Sequence, residues 1–146
     1  MKQLLDQLAK ELSRFNYIVQ RNWENLPDSI VVNGHEDLDL FTTDQDKWDL
    51  QQVIKPFQEH IKIDVRSPED DYYPEVLANS LLFKENQTEY GGFRVPVPLI
   101  AFLTLYYHSL VHKENNPYKA KLDAIFKGLY PPIKAKDDGV GFYGNN

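Results

Sequence analysis

The stretch His35-Glu36-Asp37-Leu38-Asp39-Leu40-Phe41 alternates acids with leucines. In an extended strand successive side chains point to opposite faces, so Leu38 and Leu40 share one face and Asp37 and Asp39 the other. The leucines can bury against a core, while the two carboxylates are held side by side about two residue rises apart. Like charges that close repel unless a cation lies between them, which makes the pair a poor choice for stability alone.

A second run, His60-Ile61-Lys62-Ile63-Asp64-Val65-Arg66, has the same alternation. Ile61, Ile63 and Val65 fall on one face and Lys62, Asp64 and Arg66 on the other. Read as the neighbouring strand, it sets Asp64 on the side of Asp37 and Asp39. Three carboxylates offer enough oxygens for one or two Mg2+ ions, with phosphates and water completing the octahedra.

The rest of the chain supplies a frame for these strands. Leu4, Leu5, Leu8, Leu12 and Phe15 recur at helical spacing, so residues 2–15 are expected to form a first helix. Tyr17–Arg21 reads as a strand, 22–28 as connection, and Asn33-Gly34 as a hairpin turn or a loop entering the acidic strand. Thr43 or Asp44 can cap a helix over 45–58 with Leu50, Val53, Ile54 and Phe57 inward. Residues 67–76 read as acidic loop with a helical turn, and Ser80–Lys84 and Gly92–Val95 as short strands around the turn 85–91. Pro98 suits the start of a helix to Lys113, with Leu99, Phe102, Leu103, Tyr106 and Leu110 on one face. Pro117 suits a last helix to Leu129, with Tyr118, Leu122, Ile125, Phe126 and Leu129 inward, before a glycine-rich tail that carries Phe142 and Tyr143.

The expected fold class is therefore α+β, a small mixed sheet flanked by helices, in a single domain spanning 1–146. Within it 1–95 hold the sheet and acidic site, 96–130 a helical pair, and 131–146 a peripheral tail. A formal charge of −6 argues against general binding to duplex nucleic acid, but not against a phosphorylated ligand that arrives with its own magnesium. The absence of cysteine removes disulfides, thiolate catalysis and cysteine zinc sites. Met1–Asp6 has no apolar signal-peptide core, and the most apolar run, Val95–Val111, carries two prolines and His108. A cytoplasmic protein with no membrane contact is expected.

Tyr17–Pro27, the acidic strand Glu36–Phe41 and Ile61–Arg66 together resemble the nucleotidyltransferase (polymerase-β-like) superfamily, in particular small bacterial members, several of them associated with surface-polysaccharide synthesis. The likeness covers roughly residues 1–66 by motif and extends more weakly to Tyr107–Lys113. It implies that Asp37 and Asp39 are the metal-binding pair and Asp64 the third acid, the catalytic set. The partners it implies are a nucleoside triphosphate and a hydroxyl acceptor. Most active members carry Gly-Ser at the end of the first strand to hold the triphosphate; here the place reads Gln20-Arg21-Asn22. Arg21, Asn22 and Arg66 are then the candidates for nucleotide contact, Arg21 through bidentate pairing with phosphate oxygens.

Three functional readings follow. The first is metal-dependent transfer of a nucleoside monophosphate to a hydroxyl. The second keeps the fold without turnover, as a nucleotide- or partner-binding subunit, which the missing Gly-Ser favours. The third is a small glycosyltransferase using Asp-x-Asp to hold a metal-bound nucleotide sugar. His108 and His112, four apart, permit zinc, but a core or hydrogen-bonded pair is preferred because no third ligand is evident. Arg94 is a candidate phosphate contact, against the commoner reading of a surface ion pair.

Overall fold

The computed structural model describes residues 1–113 and 118–124. They form a mixed α+β fold of five helices with sheets of three and two strands. By internal contacts the chain falls into two compact units, 1–101 and 102–146.

In the first unit α1 (Lys2–Leu12) buries Leu5, Leu8, Ala9 and Leu12, the stripe that its periodicity predicts. It ends earlier than the expected residue 15. The three-stranded sheet has the order β1 (Tyr17–Val19), β2 (Asp37–Thr42), β3 (Lys62–Arg66). β1 runs antiparallel to β2, with Ile18 opposite Phe41, and β2 runs parallel to β3, with Leu38 opposite Ile63 and Asp39 opposite Asp64. The parallel step requires a crossover, which α2 (Asp44–Ile54) supplies. Thr43 caps that helix, its hydroxyl accepting from the Asp46 amide at 3.0 Å. Leu50 and Ile54 are buried, while Val53 and Phe57 are only half-buried.

One face of the sheet carries the core. Tyr17 and Val19 of β1, Leu38 and Leu40 of β2 and Ile63 of β3 join the buried leucines of α1 and α2, with Trp23, Phe93 and Val95. Asp37, Asp39 and Asp64 lie on the opposite face, as the alternation requires. That face is covered only in part: Phe41, which shares it, meets the Tyr73 ring edge-on at 5.3 Å.

The stretch 75–96 differs from expectation. Ser80–Lys84 is not a strand; α3 (Glu75–Leu82) occupies most of it, with Ala78 and Leu81 buried three residues apart. The short apolar run Leu81-Leu82-Phe83 fits a strand or a buried helix equally well, and the flanking residues decided for the helix. The hairpin lies further on, between β4 (Gln87–Tyr90) and β5 (Phe93–Pro96), turned by Gly91-Gly92 alone. Both glycines have positive φ, +59° and +86°, as a two-residue turn that matches strand twist demands.

α4, which begins at Pro98 and runs to Tyr107, continues through one wider helical turn, His108–His112. Leu99, Leu103, Tyr106 and Leu110 are exposed, whereas Thr104, Leu105, His108 and Ser109 are buried. The helix is apolar nearly all round, so periodicity does not select a face. The buried polar groups are bonded instead: Ser109 Oγ donates to the Tyr106 carbonyl at 2.9 Å, and His108 and His112 share an Nδ1···Nδ1 hydrogen bond of 2.9 Å. Leu105 packs with Leu122 of α5 (Lys119–Ala124), joined by Phe102 and Tyr118. The expected inward residues Ile125, Phe126 and Leu129, and the tail with Phe142 and Tyr143, lie outside the described residues. No helix among the described residues is long and apolar enough to cross a membrane.

Candidate functional site

The site begins where Val32 and His35 close a two-residue turn, exchanging amide–carbonyl hydrogen bonds of 3.0 and 2.9 Å. Asn33 and Gly34 take φ of +52° and +82°, so the Asn-Gly signal is a tight turn but opens only a single bridge. It delivers the chain into β2 with His35, Asp37 and Asp39 on one side.

These three side chains converge: one ligand atom from each lies within 4.8 Å of the others. His35 Nε2 stands 3.3 Å from Asp39 Oδ2. Asp64, though directly opposite Asp39 in the ladder, lies outside this cluster and is exposed. It also borders a cleft of about 310 Å³ between α2 and β3, with Gln51, Gln52, Lys55 and Gln58.

The repulsion between Asp37 and Asp39 is answered by cations of the protein itself. Lys62 Nζ reaches Asp37 Oδ2 at 3.5 Å, an exposed pair that contributes little. Arg21 Nε lies 3.7 Å from Asp39 Oδ2, and here both side chains are buried. The rest of the guanidinium is committed elsewhere. Nη1 donates to Gln20 Oε1 at 3.2 Å and to the Tyr73 hydroxyl at 3.1 Å, and Nη2 donates to the Tyr72 hydroxyl at 3.0 Å. The Tyr73 hydroxyl in turn donates to Gln20 Oε1, and Gln20 Nε2 donates to the Leu40 carbonyl at 2.9 Å. Burial works against the Arg21 charge, but Tyr73, Asp39 and Tyr72 together raise its pKa above the ordinary value. Burial pushes the Tyr73 hydroxyl up to about 12, so it stays protonated and able to donate.

Asn22, the next of the proposed nucleotide-contact residues, is buried and takes φ +63°, the left-handed conformation that asparagine tolerates better than most residues. The strand end therefore makes the kind of turn that glycine favours. Arg66 shares the Asp64 face and stacks on the Tyr72 ring, 4.0 Å from its centroid. Arg94 is engaged away from this cluster, its Nε donating to Gln87 Oε1 at 3.3 Å.

Sequence reasoning overlooked His35, although the alternation that pairs Asp37 with Asp39 reaches one step further back to it. Tyr72 and Tyr73 carried no such signal, because their role depends on a contact with a residue some fifty positions earlier. No protein-family model, no curated protein and no solved structure matches the chain.

Proposed function

We propose that this protein transfers a nucleoside monophosphate from a nucleoside triphosphate to a hydroxyl acceptor, on a nucleotidyltransferase-like fold. One observation carries the reading: Asp37 and Asp39 share the non-core face of β2, and Asp64 stands in register opposite Asp39 on the adjacent parallel strand. The acceptor is a small molecule, a sugar or polyol phosphate, or a protein side chain.

In this reading the acceptor oxygen attacks the α-phosphorus and forms a new P–O bond. The bond from the α-phosphorus to the bridging oxygen breaks, pyrophosphate leaves with its electron pair, and the acceptor proton passes to Asp64. A divalent cation at the aspartates would supply charge neutralisation at the phosphates and acidify the acceptor hydroxyl. Asp37 and Asp39 orient the bound triphosphate, and Arg21 fixes the Asp39 carboxylate from behind. Arg66, on the solvent side, is placed to meet an anionic group.

The test is incubation of the purified chain with each nucleoside triphosphate and Mg2+ or Mn2+, reading pyrophosphate release and self-labelling. Wild type should release pyrophosphate, and Asp39→Asn should slow it about 100-fold or more. Silence of the wild type with every nucleotide and both ions would end the reading.

A second reading is favoured by the Arg21 network. Where the resembled family has Gly-Ser, this chain has a buried guanidinium tied to Gln20, Tyr72 and Tyr73. Such a strand end suits a nucleotide- or partner-binding subunit without turnover. Nucleotide affinity that survives Asp64→Asn, with no pyrophosphate from wild type, would decide for it.

A further inference from the structure

We infer that His35, rather than Asp64, is the third protein ligand of the cation site, and that the site takes a transition-metal dication such as Mn2+ or Zn2+ in preference to Mg2+. The inference shares with the proposed function only the assumption that Asp37 and Asp39 bind a cation.

The donor atoms that converge are one imidazole nitrogen and two carboxylate oxygens, from His35, Asp37 and Asp39. Magnesium is held by oxygen donors and keeps most of its water, whereas imidazole is a preferred ligand of zinc and other first-row transition ions. The spacing suits coordination. A tetrahedral ion with bonds of about 2.1 Å sets its ligand atoms roughly 3.4 Å apart, and an octahedral one roughly 3.0 Å. His35 Nε2 and Asp39 Oδ2, at 3.3 Å, fall in that range.

The state of the imidazole nitrogen points the same way. His35 Nε2 is shut off from solvent yet makes no hydrogen bond, on a side chain that is 27% exposed as a whole, and Arg21 Nε, on a side chain 4% exposed, makes none either. Both atoms face Asp39 Oδ2. A buried imidazole nitrogen normally has a partner, so His35 Nε2 beside Asp39 marks a position that an ion can complete, while the Arg21 N–H answers the carboxylate with its own charge. An ion bound between His35 and Asp39 would satisfy the imidazole nitrogen. Arg21 would then lie in the outer shell, holding a ligating carboxylate in place, the arrangement that metal sites use to fix their ligands. Lys62 does not block it: its side chain is 69% exposed, and it can swing from Asp37 into solvent.

The experiment is calorimetric titration of the full, metal-stripped chain with Mn2+, Zn2+ and Mg2+ separately. The variants are His35→Ala, His35→Gln and Asp64→Asn, each first shown to melt cooperatively by circular dichroism. Wild type should bind Mn2+ or Zn2+ at least about tenfold more tightly than Mg2+. Both His35 variants should lose at least about tenfold in affinity for that ion, since even outer-shell changes cost this much. Asp64→Asn should change it less than about twofold. Binding that falls in Asp64→Asn and persists in both His35 variants would overturn the inference, as would Mg2+ binding as tightly as Mn2+ and Zn2+. Either result would leave nucleotidyl transfer standing if pyrophosphate is released. Conversely, His35-dependent Mn2+ or Zn2+ binding without any pyrophosphate would uphold this site and refute that reaction.

Discussion

Arg21 and Asp39 form a buried ion pair, with Nε 3.7 Å from Oδ2 and only 4% and 10% of the two side chains exposed. The guanidinium cannot turn away, because Gln20, Tyr72 and Tyr73 hold its other nitrogens. Arg21→Met would leave a buried carboxylate facing a methyl group and would remove one donor each from Gln20 Oε1 and the Tyr72 and Tyr73 hydroxyls. Urea unfolding should show a loss of about 3–5 kcal/mol, the usual cost of removing one partner of a buried pair. A loss below about 1 kcal/mol would mean that Asp39 is hydrated, as an exposed pair would be.

The hairpin turn gives a sharper contrast. A Cβ on Gly91 would sit 2.7 Å from the Leu26 carbonyl oxygen and 2.8 Å from its carbon, at φ +59°. Both obstacles are backbone, so Gly91→Ala should cost more than about 3 kcal/mol, strain and clash together. Gly34→Ala, at φ +82° with no atom within 4 Å, should cost only about 1–2 kcal/mol. Thermal melts of the two variants side by side test the difference.

Acid should expose one ion pair selectively. Burial pushes the Asp70 carboxyl up, but the Lys47 ammonium at 2.8 Å and the Ser67 amide at 2.8 Å outweigh it and hold its pKa below the ordinary 3.8. A carboxyl depressed on folding stabilises above 3.8, and that contribution disappears as pH falls through the folded-state value. Asp70→Asn should therefore cost up to about 1 kcal/mol at neutral pH, given its partial exposure, and nothing once the carboxyl is protonated in both the folded and the unfolded chain. Urea midpoints of wild type and variant should converge on acidification.

In α4, neighbouring leucines should respond differently. Leu105 is 1% exposed and Leu103 41%. Leu105→Ala should cost about 2–4 kcal/mol and Leu103→Ala no more than about 0.5 kcal/mol. Equal losses would mean that Leu103 is packed as closely as Leu105.

What was legible in the chain follows the strength of its periodicities. The strict alternation in 37–40 and 61–65 fixed which face each carboxylate takes, and the leucine spacing in 2–12 fixed the buried side of α1. Those patterns work because each segment has one apolar and one polar face. α4 has apolar residues on every side, and there the same rule singles out no buried face. The Arg21 network was beyond reach for another reason. Tyr72 and Tyr73 meet it across some fifty residues of chain, and no local pattern records a contact of that range.

β3 is the terminal strand of its sheet, paired with β2 alone among the described residues. Its Lys62, Asp64 and Arg66 thus serve a second purpose, since charge along an unpaired border discourages another copy from adding its own strand there. Substitutions of Asp64 made to probe chemistry will also thin that guard, and an apolar replacement would invite self-association. Light scattering belongs beside every assay of such a variant.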